Sequence, residues 1–197
     1  MSFAAVVLAG GAARRLGGAP KPVRTVAGVP MLTRVLTAVS AADVRVVVGP
    51  RLAGGPDGVR YTREQPPGAG PVAAVAAGLA LLDPGVGSVA VFGADLPFLT
   101  PDAVDRLLRA VDPDTDLAVY VDAEGHPQWL CGVWRRTALD RRLAELGEPA
   151  GVGMRRLADG LRRVELRTAA DDPGPPVWYD CDTEEDLRRA EEWAHGR

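Results

Sequence analysis

The chain has 197 residues, is 47% hydrophobic and 25% charged, and carries a formal net charge of −3. That apolar content supports one substantial core, and the ordinary charge content excludes global disorder. The slightly acidic balance excludes a nucleic-acid binder working by bulk phosphate neutralisation, and no apolar stretch approaches the roughly 20 residues of a membrane span.

The N-terminal segment is apolar but lacks the length and basic start of a signal peptide, so a cytoplasmic location is expected. Residues 3–8 are a continuous apolar run ending in glycines, which predicts a buried parallel strand. Residues 30–41 place Leu32, Val35, Leu36 and Val39 at helical spacing. Residues 44–48 and 59–62 read as strands separated by a loop. Residues 71–82 repeat the helical period, with Pro71 suited to a first turn. Residues 88–92 form another apolar strand, ending at Gly93-Ala94-Asp95. Thr100 and Pro101 then open a helix with Val104, Leu107, Leu108 and Val111 on its inner face.

The second half is more mixed. Strands are expected over 117–121, 128–134, 162–166 and 177–179, and helices over 137–146 and 154–158. Residues 168–176 read as a loop. Thr183 to Asp186 has the spacing of a capping box and opens a last helix through Leu187, Ala190 and Trp193. Cys131 and Cys181 lie in apolar runs outside any CxxC pair, as expected of buried thiols. The alternation in the first half predicts an α/β fold: a three-layer Rossmann-like sandwich with a mixed, mostly parallel central sheet. Ligands of such sheets bind at the carboxyl ends of the strands. One domain is expected over 1–197, divided functionally at about residue 112.

Five segments carry candidate chemistry. Residues 8–21, LAGGAARRLGGAPK, follow the first strand. Their glycines let backbone N–H groups converge on an anion, and Arg15 and Lys21 add positive charge. The spacing matches neither the Walker loop nor the dinucleotide fingerprint, which excludes a nicotinamide-dependent oxidoreductase. Asp95 at a strand end has two open readings: a carboxylate that holds Mg²⁺, or a cap on the following turn. Asp180 and Asp182 lie two residues apart, where Asp182 could add a metal contact or help cap the last helix. The turn from Pro66 to Gly70 enters a helix whose N-terminus could face a nucleotide. His126-Pro127-Gln128-Trp129 could be plain structure, or Trp129 could stack on a planar ring.

Taken in order, these segments resemble the molybdenum cofactor guanylyltransferase family, within the nucleotide-diphospho-sugar transferase-like superfamily. The shared signals are the 8–21 loop, GAGP at 68–71, ADLPF at 94–98, HP at 126–127, GVGMRRLADG at 151–160 and DCDT at 180–183. The resemblance implies GTP over Leu8, Ala9, Gly10 and Gly11, with Lys21 on its phosphates and Gln65 and Gly70 nearby. It implies catalytic roles for Arg15, Lys21 and Asp95. It makes Asp95 the principal Mg²⁺ ligand, with Asp182 a second. It puts molybdopterin or molybdenum cofactor against His126, Trp129 and Arg155, with GMP passing to its terminal phosphate and pyrophosphate leaving. Molybdenum-insertion proteins and recipient molybdoenzymes are the implied protein partners, with no nucleic acid and no membrane. Two positions depart from the family pattern. Gln65, with Glu64 beside it, stands where an acidic residue is common, and Gly49 stands where Asn is common near the ribose. The rivals are a related enzyme using CTP or a sugar phosphate, and a non-catalytic nucleotide-binding module.

Overall fold

The computed structural model describes residues 2–10, 24–51, 57–168 and 174–196. A seven-stranded sheet forms the middle layer. Its strands are β1 (Phe3–Leu8), β4 (Val44–Val48), β5 (Val59–Thr62), β6 (Ser88–Gly93), β7 (Leu117–Val121), β8 (Pro127–Arg135) and β9 (Arg163–Leu166). β2 (Thr25–Val26) and β3 (Val29–Pro30) make a separate hairpin. The sheet order is β5-β4-β1-β6-β8-β7-β9, and among these described strands β8 alone runs against its neighbours. The helices are α1 (Met31–Ala38), α2 (Pro71–Leu79), α3 (Pro101–Ala110), α4 (Arg136–Leu146), α5 (Met154–Ala158) and α6 (Glu184–Ala194).

Strand period two sorts the core into two faces. In β1, Phe3, Ala5 and Val7 pack with Leu32, Val35 and Leu36 of α1 and Val104 and Leu107 of α3. Ala4, Val6 and Leu8 pack on the other face with Val72 and Val75 of α2, Leu139 of α4 and Leu157 of α5. Both faces of the inner strands are therefore covered, which is why β1 reads as an unbroken apolar run. The expected three-layer sandwich with a mostly parallel mixed sheet is what forms. α2 lies so close to the sheet that a Cβ on Gly78 would come 2.5 Å from Cγ1 of Val6.

Several expected boundaries shift for local reasons. The helix expected over 71–82 ends at Leu79, because Leu81 and Leu82 donate to Gly78 and Leu79 in tighter three-residue turns. The helix expected over 30–41 ends at Ala38 and gives way to turns through Ser40 and Ala42. Residues 177–179, expected as a strand, form a turn instead, with Tyr179 N–H donating to the Pro176 carbonyl. The β2–β3 hairpin escapes the sequence reading because two-residue strands have no period to detect. Its turn, Ala27-Gly28, has φ of 49° and 75°, the left-handed pair that suits a tight hairpin. Among the described residues, no helix is long and apolar enough to cross a membrane.

Candidate active site

β1, β4, β5 and β6 are parallel, so their carboxyl ends share one edge of the sheet. Backbone hydrogen bonds continue beyond the strands there. Ala9 N–H donates to the Val48 carbonyl at 2.8 Å, Ala94 to Leu8 at 3.0 Å and Gly49 to Thr62 at 2.9 Å. Leu8 and Ala9 are buried in this edge, while Gly10 emerges from it exposed. Gly49 passes so near Ala9 that a Cβ on it would lie 2.8 Å from the Ala9 carbonyl carbon. This close approach gives a local reason for glycine where the resemblance leads one to expect Asn.

Glu64 turns inward at this edge, in place of its neighbour Gln65, the nucleotide contact expected from the sequence. Gln65 is exposed, whereas Glu64 is 5% exposed. Glu64 Oε1 accepts the Gly68 N–H at 2.9 Å, but Oε2 is buried with no hydrogen-bond partner among the described residues. An unpartnered buried carboxylate oxygen is costly unless something fills the position. The turn it holds continues into Gly70, at φ 99°, and then into Pro71 at the start of α2. The Ala69 carbonyl accepts the Gly151 N–H at 2.7 Å, which docks the GVG segment of the second half against this turn.

On the other side of β1, Asp95 follows the end of β6 and is half-buried. Its carboxylate lies over Gly93, where a Cβ would fall 2.5 Å from Asp95 Oδ1. Gly93 thus clears the space the carboxylate occupies. Leu130 of β8 borders the same spot, with its Cβ 3.8 Å from that position. The β7–β8 register slips between Val119 and Val121, which pair with Gly132 and Pro127. Residues 128–131 therefore bulge opposite Tyr120, a device often found beside active sites. The Asp95 carbonyl accepts the Cys181 N–H at 3.2 Å, which brings the 180–183 segment to the same strand end.

Asp182 is exposed, and its backbone N–H donates to Asp186 Oδ2 at 3.1 Å. Thr183 is the cap of α6, and Asp186 completes the capping box expected there. Burial pushes the Asp186 carboxyl up, but hydrogen bonds from Thr183 and Asp182 outweigh it and leave it below the ordinary aspartate value.

The expected acceptor residues are spread along the second half. His126 sits exposed at the tip of the β7–β8 hairpin. Asp122 beneath it accepts the His126 backbone N–H at 2.7 Å, a bond that holds the carboxyl below its usual range. Among the described residues, Asp122, Glu124 and His126 form the one group of three metal-type ligands within 4.8 Å of one another. Their mutual bonds are those of a tight turn. Trp129 is half-buried, with the Arg163 guanidinium 5.8 Å from its ring centre. Arg155 is exposed on α5. Gly11, Arg15 and Lys21 lie outside the described residues.

A molybdenum cofactor guanylyltransferase of Bradyrhizobium sp. (strain ORS 278) is 33% identical over 201 residues, covering 96% of this chain and 92% of its own. Two solved structures share the fold. Molybdopterin-guanine dinucleotide biosynthesis protein A from Archaeoglobus fulgidus superposes with a TM-score of 0.75, 22% identity and coverage of 99% of this chain and 100% of that one. 2-C-methyl-D-erythritol 4-phosphate cytidylyltransferase from Thermus thermophilus gives 0.73, 20% identity and coverage of 99% and 100%. The fold is thus that of the nucleotide-diphospho-sugar transferases, common to enzymes named for different bases. Residues 5–190 match the MobA-like NTP transferase domain, and the chain belongs to that family.

Proposed function

We propose that this chain transfers GMP from GTP to the terminal phosphate of molybdopterin or molybdenum cofactor, releasing pyrophosphate. The observation that carries the reading is the pair of carboxylates at one strand edge: Glu64 beside Gly10, and Asp95 over Gly93. Kinship with a molybdenum cofactor guanylyltransferase supports the acceptor. The chain acts as one catalytic unit in the cytoplasm, its nucleotide half before about residue 112 and its acceptor half after it.

Each described residue then has a physical task. The exposed Gly10 offers its N–H where the strand ends, and Leu8 and Ala9 form the buried floor beneath it. Glu64 is an acceptor-only group while ionised, so its buried Oε2 calls for an N–H or O–H donor. A guanine edge supplies two such donors side by side, N1–H and the exocyclic amine, which favours GTP over CTP at this position. The Gly68–Gly70 turn brings the N-terminus of α2 to the same edge, where its field favours anionic phosphates. Arg15 and Lys21 of the glycine-rich segment add phosphate contacts.

Asp95, with Asp182 nearby on the 180–183 segment, fits a hard divalent cation such as Mg²⁺. Such an ion takes one or two carboxylates and completes its shell with phosphate and water. When bound, it neutralises charge on the phosphates of the leaving group. An oxygen of the acceptor phosphate forms the new bond to the α-phosphorus, and the bond from that phosphorus to the β-bridging oxygen breaks. No covalent intermediate with the chain is needed, because positioning and charge stabilisation carry the step. The acceptor lies across the bulged end of β8, with His126, Trp129 and Arg155 as its contacts.

Calorimetry with Mg²⁺ and each of GTP, ITP, CTP and ATP tests the reading. GTP is expected to bind tightest, and ITP, which lacks the exocyclic amine, more weakly. A preference for CTP would move the reaction to a cytidylyltransferase.

A further inference from the structure

The C-terminal helix α6 is tied to the candidate nucleotide site at two places. At the first, Cys181 N–H binds the Asp95 carbonyl, and two residues later the capping box begins α6. The Asp186 carboxylate gathers Thr183 N–H and the Thr183 hydroxyl, each at 2.7 Å, and Asp182 N–H at 3.1 Å. The start of α6 is thereby fixed against the end of β6.

At the second, α6 grips the β2–β3 hairpin. Glu184 accepts from the Arg24 guanidinium at 2.6 Å, and Glu191 Oε2 accepts the Ala27 N–H at 2.9 Å. Ala27 opens the left-handed turn, so its amide points away from the hairpin's own ladder and Glu191 satisfies it. Between the two places, Phe98 from the loop after Asp95 meets Tyr179 and Trp193, with ring centres 4.8 to 6.3 Å apart. Of the residues in α6, only Ala190 is fully buried. The helix contributes little core, and two of its charged side chains, Glu184 and Glu191, reach the hairpin segment.

We infer that Glu184 and Glu191 are positioning residues for nucleotide binding. By gripping the hairpin they hold α6 in place, and through the α6 cap and the Cys181 N–H bond to the Asp95 carbonyl they keep the 180–183 segment beside Asp95. The inference rests on the nucleotidyltransferase reading, in which Asp95 acts on the triphosphate. A group that acts on ground-state and transition-state binding alike changes KM and leaves kcat.

The test is Mg-GTP affinity by calorimetry on the full chain, together with KM and kcat, helicity and thermal melting. Glu184→Ala/Glu191→Ala is expected to weaken Mg-GTP binding and raise its KM by about five- to tenfold, the scale of losing charge-assisted hydrogen bonds, with kcat little changed. Glu191→Gln keeps an oxygen for the Ala27 N–H and is expected to bind like wild type. Glu192→Ala removes an α6 ion pair with Arg188 that does not touch the hairpin, and is expected to leave affinity unchanged. If the double variant does not fold, the two single variants are read separately, each with a smaller loss. Unchanged affinity in the folded variants overturns the inference, as does an equal loss in Glu192→Ala. Wild type that binds no nucleoside triphosphate overturns the underlying reading and this inference with it.

Discussion

Glu64 and Gly10 meet across the ends of two strands: a Cβ on Gly10 would lie 3.5 Å from Glu64 Oε1 and 3.8 Å from Oε2. The carboxylate therefore borders the point where the chain leaves β1. Glu64→Gln keeps an oxygen for Gly68 and the same volume but changes what Oε2 offers. It is expected to lower GTP affinity by about tenfold, the scale of one charge-assisted hydrogen bond, and to narrow the gap between GTP and ITP. Titration calorimetry on both proteins reads this. An unchanged GTP-to-ITP ratio would remove Glu64 from base recognition.

Asp95→Ala is expected to cut turnover by at least about 100-fold, since it takes away the carboxylate proposed to hold the divalent ion. Its side chain lies over Gly93 and outside the buried core, so the melting temperature should change little. A turnover assay alongside a thermal melt separates the two effects. A normal rate would sink the assignment.

Gly78→Ala sets two effects against each other. Alanine favours a helix by about 1 kcal/mol over glycine. At this position its methyl would come 2.5 Å from Val6 and 3.1 Å from Val48, both in buried strands. Overpacking of that kind costs about 1–3 kcal/mol, so a net loss of stability is expected on urea denaturation. A gain would show that α2 can move off the sheet freely.

Asp116 ties stability to pH. Burial pushes its carboxyl up, but hydrogen bonds from Arg162 outweigh this and hold it below the ordinary value. A depressed folded-state pKa adds stability that is present above the unfolded value of about 3.9 and is lost as pH falls through the folded one. Asp116→Asn is therefore expected to melt lower than wild type at neutral pH. The gap should shrink on acidification from about pH 5 to about pH 2. A constant gap across that window would mean that Asp116 matters only for packing.

Much of this protein could be read directly from its sequence because the signals are local. The apolar runs of β1, β4 and β6 announce strands buried on both faces. Thr100 before Pro101, and Thr183 three residues before Asp186, mark helix starts through bonds that span a single turn. The glycines after β1 and the acid after β6 pointed to one sheet edge, because parallel strands place their carboxyl ends together.

What the tertiary structure alone decided is which of two adjacent groups faces inward and what distant segments touch. Glu64 and Gln65 are equally polar in sequence, and only the turn closed by Gly68 buries the first and exposes the second. Gly49 has no helical or strand reason to be glycine until Ala9 is packed against it. The β2–β3 hairpin is too short to show a period, and it is held by glutamates more than 150 residues away in sequence. The bulge in β8 arises from its pairing with β7 on one side and β6 on the other. Local propensity follows from neighbours along the chain, whereas these contacts depend on loop closure across the whole fold, and no window of sequence contains both partners.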